Sequence, residues 1–132
     1  MNPKLKFIDK ILAQEKLIET RWYKNKIAPW NRINKGDVIY FKDSGQDVTA
    51  RAEVLKVEQF DNLDKEKIKD LINKYFKEIG LNEEIKTAFI NKHLNKNYAI
   101  LIWLKNAEKI APFRINKTGF GNAAAWLTLP EI

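Results

Sequence analysis

The sequence predicts an α+β domain in which antiparallel strands form one curved sheet and helices lie outside it. Apolar and polar residues alternate from Val48 to Val54, which is the period of a strand with one buried face. Apolar residues recur at helical spacing from Ile68 to Ile79, and every residue from Tyr98 to Leu104 is apolar. We therefore expect a single domain over residues 1–132, with a helical insert at about 62–95.

The first third of the chain predicts a helix, a loop and a strand. Asn2-Pro3 is typical of a helix N-terminus, and the apolar spacing that follows extends to residues 13–15. The segment from Trp22 to Asn34 has no clean period, which indicates a strand end followed by an irregular loop. Gly36-Asp37 is a turn signal before a strand from Val38 to Phe41.

The rest of the chain predicts two more strands and two helices before its tail. The polar turn from Asp43 to Asp47 joins a hairpin whose second strand runs from Thr49 to Val57. The next helix closes at Gly80, the residue type that commonly follows a helix end, and Asn82 can cap another. The run from Tyr98 to Leu104 predicts a central strand covered on both faces, and the tail predicts a short closing strand.

The composition excludes several kinds of site. The chain has no cysteine and one histidine, His93, which excludes a disulfide framework, a thiolate metal site and a histidine metal cluster. No apolar run approaches the roughly 18 residues of a membrane-spanning helix, so a cytoplasmic location is expected. Gly119 and Gly121 lack the third glycine of a dinucleotide site, and no cofactor is predicted. A Ser-His-Asp triad would have to use Ser44, which no pattern brings near His93.

Basic residues concentrate in one segment of this chain, whose net charge is +7. Between residues 16 and 35 Glu19 is the only acid, whereas the basic residues are Lys16, Arg21, Lys24, Lys26, Arg32 and Lys35. Such charge favours an anionic partner, because cations that neutralise phosphates release counterions. Trp22 and Trp30 are interleaved with these cations, and aromatic faces stack on exposed bases. The segment predicts a nucleic-acid-binding face, with a solubilising surface as the alternative.

Four residues just before and within the first predicted strand follow a fixed spacing. They are Gln14, Lys16, Glu19 and Arg21. This spacing resembles the signature of the ASCH domain, Gly-x-Lys-x-x-Glu-x-Arg, with Gln in place of Gly. The order of turns, strands and helical insert is also similar to that family over most of the chain. The resemblance implies a PUA-like (ASCH-type) β-barrel with flanking helices.

The resemblance and the basic segment together predict an RNA- or nucleotide-binding module. We expect Glu19 to orient Lys16 or Arg21 toward an anion by a charge-assisted hydrogen bond, a structural salt bridge being the alternative. Trp22 and Trp30 are the candidate base-stacking residues. Three further lysines complete the predicted binding face: Lys24, Lys26 and Lys35. No metal ligand and no catalytic residue is assigned.

The family also implies an enzymatic alternative. Small bacterial members hydrolyse an acylated cytidine, using the signature Lys as base and a Thr nucleophile three residues later. Lys16 matches the base, but Glu19 occupies the position of that Thr. Thr20 is one residue on, and within a strand it faces the opposite side. A small hydrolase acting on an N4-acetylcytidine-type nucleoside or on RNA therefore remains the alternative to a binding module.

Overall fold

The computed structural model describes residues 6–25, 30–43 and 45–113, together with the backbone of 126–128. Within these residues the helices are α1 (Phe7–Leu12), α2 (Lys65–Ile79) and α3 (Glu83–His93), and the strands are β1 (Ile18–Tyr23), β2 (Val38–Lys42), β3 (Val48–Phe60), β4 (Tyr98–Phe113) and β5 (Trp126–Thr128). The strands form one antiparallel sheet in the order β1-β4-β3-β2-β5. The α+β prediction is confirmed, and α2 and α3 lie between β3 and β4 along the chain.

Local signals in the sequence explain where the two long helices begin and end. Asp64 caps α2 by accepting a hydrogen bond from the backbone N–H of Lys67 at 2.8 Å. Asn82 caps α3 in the same way, with Ile85 as donor at 2.9 Å. Gly80 ends α2 at φ +93, a left-handed conformation that glycine adopts without strain.

Helix α1 is shorter than the sequence suggested. Lys6 has φ +52, so α1 begins at Phe7, and it ends at Leu12. Several residues considered in the sequence analysis lie outside the described residues, namely Asn2, Pro3, Lys26, Ser44, Gly119 and Gly121.

The core lies on both faces of the first half of β4. Ala99, Ile100, Leu101 and Ile102 are each at most 1% exposed, which confirms a strand covered on both sides. Trp103 lies in the same run, which was expected to be covered on both faces, but it is only partly buried and packs against the core. Its ring contacts Tyr75 of α2, with ring centroids 5.4 Å apart, and the ammonium of its β3 partner Lys56, 4.2 Å from the ring centroid.

Register shifts divide the long β3–β4 ladder at three places, between Val48 and Ala50, Arg51 and Glu53, and Val54 and Lys56. Such irregularities bend a strand pair and increase its twist, which lets a sheet curl. One side of the β1–β4 pair packs against the helices, as the edge-to-face contact of Trp22 with Phe89 of α3 shows. The opposite side carries the charged residues of β1.

Candidate nucleic-acid-binding site

Strand β1 separates the predicted site residues onto two faces. Side chains alternate along a strand, so Glu19, Arg21 and Tyr23 share one face while Thr20 and Trp22 share the other. The Thr20 hydroxyl accepts a hydrogen bond from the Trp22 indole N–H at 2.9 Å, on the side that faces the helices. The charged face of β1 is therefore the face that can form a polar site.

Lys16 lies in the core at the start of this charged line. It is 1% exposed, and its ammonium donates to the carbonyls of Ile18 at 2.7 Å and Ile79 at 2.8 Å. Burial lowers the pKa of Lys16 to about 8, and the nearby Glu19 carboxylate opposes that change. Because Ile79 is the last residue of α2, Lys16 places a cation at the negative end of that helix dipole.

Glu19 connects the buried lysine to Arg21. Its carboxylate accepts a hydrogen bond from the Thr20 backbone N–H at 3.0 Å, and its two oxygens lie 3.7 Å from the Lys16 ammonium and 3.9 Å from the Arg21 guanidinium. Exposure of the side chains increases along the line, from 0% for Lys16 to 5% for Glu19 and 23% for Arg21. Burial lowers the pKa of Arg21, and the Glu19 carboxylate opposes the change. Arg21 is thus a partly desolvated cation that an approaching anion can reach.

Aromatic residues gather where this charged face ends. Tyr23 pairs directly with Tyr98 at the start of β4, and the Trp30 ring contacts Tyr98 edge to face at 5.4 Å between centroids. The Asn97 amide donates to the Lys24 carbonyl at 3.0 Å, which fixes the chain just beyond β1. We call Tyr23, Lys24, Trp30 and Tyr98 the Trp30 cluster. It combines partly buried aromatic rings with an exposed lysine.

The loop that carries Trp30 is attached to β3. Asn31 and Gln59 exchange two hydrogen bonds of 2.6 Å, one from the Asn31 backbone N–H and one from the Gln59 side-chain amide. Burial raises the pKa of the Tyr23 phenol, and the positive charge of Arg21 opposes that change. The Tyr23 hydroxyl therefore stays protonated as a hydrogen-bond donor at neutral pH.

The structure separates other predicted site residues from this cluster. Trp22 is 9% exposed, because its ring packs against Phe89 and His93 of α3. Lys35 is exposed, but the neighbouring Gly36 N–H bonds to the Val54 carbonyl, six residues along β3 from Phe60. That separation is about 20 Å along a strand. Lys16 is enclosed at the other end of β1. Binding by these three residues, and by Lys26 outside the described residues, stays a prediction.

Gln14 occupies the signature position at which the family has glycine, and its backbone explains that residue type. Gln14 has φ +60 and follows α1, where its N–H bonds to the Ile11 carbonyl at 3.1 Å. A left-handed residue after a helix is usually glycine, because a Cβ is strained there. Gln14 thus holds a backbone conformation that glycine adopts without strain.

Known structures share this arrangement of strands and helices. ASCH from Zymomonas mobilis superposes with a TM-score of 0.66 at 16% identity, covering 99% of this chain and 85% of that chain. Two variants of that protein, a tyrosine-to-phenylalanine and a serine-to-alanine substitution, give TM-scores of 0.65 and 0.66 at 17% identity, again over 99% of this chain. These two superpositions cover 87% and 85% of the variant chains. The chain has the ASCH-domain fold.

The PUA-like, ASCH-type prediction is therefore confirmed at the level of the fold. No family model and no curated protein matches the sequence. Among the described residues of this ASCH-type domain, no helix is long and apolar enough to cross a membrane. The same residues contain no group of three or more His, Cys, Asp or Glu side chains placed to hold a metal ion.

Proposed function

We propose that this ASCH-type domain binds single-stranded RNA or a nucleotide-like ligand at the Trp30 cluster and Arg21. The observation that carries the proposal is the β1–β4 register, which brings Tyr23 against Tyr98 and Lys24 next to Asn97. Aromatic faces can stack on bases without regard to sequence, and adjacent cations hold the phosphates. The site needs no rearrangement of the core, since Lys24 is exposed and Arg21 is partly exposed.

Glu19 and Lys16 lie on the buried side of Arg21, and in this proposal they hold it in position. The Glu19 oxygens lie 3.7 Å from the Lys16 ammonium and 3.9 Å from the Arg21 guanidinium, so Glu19 holds Arg21 from the buried side, and the partly exposed guanidinium is the group that we expect to contact a phosphate. A charged group held in place loses less conformational entropy on binding than a mobile one. In this reading Glu19 and Lys16 position Arg21, whereas Arg21, Lys24 and Trp30 contact the ligand.

The test is fluorescence anisotropy of labelled single-stranded RNA at a series of salt concentrations. Lys24→Gln should weaken binding and reduce the slope of log K against log salt by about 1, as expected for one lost phosphate contact. Trp30→Ala should cost about 1 to 3 kcal/mol with little change of slope, because stacking is not ionic. Lys35→Gln is the matched control: it removes the same charge at the distant turn and should change affinity less than Lys24→Gln.

Two outcomes would contradict the proposal. The first is that no RNA or DNA oligonucleotide binds, and the second is that binding does not depend on salt. Equal effects of Lys24→Gln and Lys35→Gln would instead indicate that the net charge of +7 attracts RNA diffusely, rather than that RNA binds at a defined site.

A hydrolase is the second candidate, and the lowered pKa of Lys16 favours it. At a pKa of about 8 a fraction of the lysine is neutral at physiological pH, as a general base requires. The geometry favours binding, because Lys16 is 1% exposed and directs its N–H groups at two carbonyls. Thr20, the nearest hydroxyl to the nucleophile position, faces the helices.

Assays on N4-acetylcytidine and on RNA separate the two candidates. Deacylation or RNA cleavage by the unmodified protein, lost in folded Lys16→Met, would replace the binding proposal with the hydrolase. A protein that binds RNA and leaves both substrates intact supports the binding module.

A further inference from the structure

A groove of about 360 Å³ lies beside the Trp30 cluster, between the end of β3 and the first three turns of α2. Its floor is apolar, formed by Phe60, Leu63 and Leu71. Its size falls in the usual range of small-ligand sites, about 300 to 1,000 Å³. Gln59 lines the groove and holds Asn31, the residue after Trp30, so the groove and the Trp30 cluster adjoin. We call it the α2 groove.

Two carboxylates line the α2 groove. Asp61 and Asp70 both belong to its wall and are exposed. Neither carboxylate takes part in a hydrogen bond or an ion pair with any residue that the structure describes. A carboxylate oxygen is an acceptor for the exocyclic amino group of a base, as in the pairing of Asp or Glu with the cytosine N4 amine. Above an apolar floor, these oxygens can read the edge of a base that lies on the floor.

Two lysines complete the groove. Lys67 and Lys74 stand two turns apart on α2, about 10 Å along the helix axis. The Lys67 ammonium donates to the Asn62 carbonyl at 3.2 Å, and the Lys74 ammonium lies 5.1 Å from the Tyr75 ring. Both side chains are exposed, so both cations can meet a phosphate at the groove's edge.

We propose that the α2 groove is a second nucleotide subsite that prefers a base with an exocyclic amino group over uracil. The base lies on Phe60 and Leu71, its amino group donates to Asp70 or Asp61, and its phosphate contacts Lys74 or Lys67. Uracil would present carbonyl oxygens to the carboxylates, an unfavourable pairing of two acceptors. This inference rests on the proposed RNA-binding function. It extends the path of the bound RNA from the Trp30 cluster, past Gln59, into the α2 groove.

Short RNA homopolymers of about eight nucleotides test the preference, because that length lies within the roughly 4 to 16 nucleotides that a small single-strand-binding domain such as an OB fold covers. We expect oligo(C) and oligo(A) to bind about tenfold more tightly than oligo(U), with the difference reduced several-fold in Asp70→Asn. Lys74→Gln should weaken binding of all three and reduce the salt slope by about 1. Lys69→Gln and Glu66→Gln are the matched controls, since both residues are exposed on α2 and neither lines the groove.

A second measurement separates failure of this inference from failure of the proposed function. Cytidine and uridine monophosphate are titrated into the protein, and the backbone amide resonances of residues 60–74 are followed by NMR. Larger shifts with cytidine monophosphate support the subsite, even where no oligonucleotide binds and the RNA function fails.

Other outcomes overturn the subsite. If Lys24→Gln and Trp30→Ala weaken RNA binding while Lys74→Gln and Asp70→Asn match their controls, the proposed function stands and the subsite is wrong. If neither RNA nor mononucleotide perturbs the protein, both are wrong. Circular dichroism of each variant shows whether it is folded.

Discussion

The buried Lys16 should make the unfolding free energy of this domain depend on pH. A lysine whose pKa is the same in the folded and unfolded states adds no such dependence. Burial lowers its pKa from 10.5 to about 8 in the folded protein, whereas the unfolded chain exposes the amine to water. Between these two values the unfolded chain holds a proton that the folded protein has released. Stability therefore rises with pH from about 8 to about 10.5, because the unfolded state binds more protons there.

The size of the effect follows from the same two values. The gap between 10.5 and about 8, at 1.36 kcal/mol per pH unit, corresponds to about 3 kcal/mol. Loss of the proton does not break the local hydrogen bonds, because a neutral amine still has two N–H groups for the carbonyls of Ile18 and Ile79. The full cost of burying the charge is present at pH 7 and is relieved near pH 10.5.

Urea denaturation of the wild type and of Lys16→Met, measured from pH 7 to pH 10.5, isolates this lysine. Other titrating groups are common to both proteins and cancel in the difference of their unfolding free energies. That difference should move by about 3 kcal/mol in favour of the wild type over the window. Ile79→Val is the control: it perturbs the same packing without a titratable group and should shift the curve in parallel, by about 0.5 to 1.5 kcal/mol.

A flat difference between wild type and Lys16→Met across this pH range would refute the reasoning. It would mean that the folded protein stabilises the ammonium as well as water does, and that the two carbonyls and Glu19 fully compensate its burial.

Two further predictions concern residues outside the binding site. Gln14→Gly should raise the unfolding free energy by about 1 kcal/mol, since Gln14 has φ +60, while Gln14→Ala should bring no such gain; equal effects of both would contradict the strain. Burial lowers the pKa of His93 to about 4, so its imidazole should titrate there by NMR, and stability should fall as pH drops from 6.5 toward 4 because only the unfolded chain binds the proton. An imidazole that titrates near 6.5 would contradict the burial of His93 against Trp22 and Phe89.

The helices could be predicted from sequence because their signals are local. The cap, the apolar spacing and the terminal glycine of α2 lie within seventeen residues, from Asp64 to Gly80. The pairing of Tyr23 with Tyr98 had no such signal, because it joins strands far apart in the chain. Gln59 was likewise unremarkable in sequence, and only the fold brings it to Asn31.

The separation of Arg21 from Trp22 had a sequence signal. Neighbouring residues of a strand face opposite sides, so a pocket that uses Arg21 from β1 excludes Trp22 from the same wall. The burial of Lys16 had none. A lysine in a basic segment is typical of a surface, and only the end of α2 supplies the carbonyl that holds it inside.

The three charged residues of the signature, Lys16, Glu19 and Arg21, form a line from the core to the proposed site. Lys16 binds the start of β1 to the end of α2, and its ammonium then gives Glu19 a fixed positive neighbour. Glu19, held also by the Thr20 N–H, sets the position of the more exposed Arg21. A carboxylate suits this middle position because it can face a cation on each side, which a threonine hydroxyl cannot do with charge. Glu19 therefore favours a site that orients an arginine toward an anion over one that activates a nucleophile.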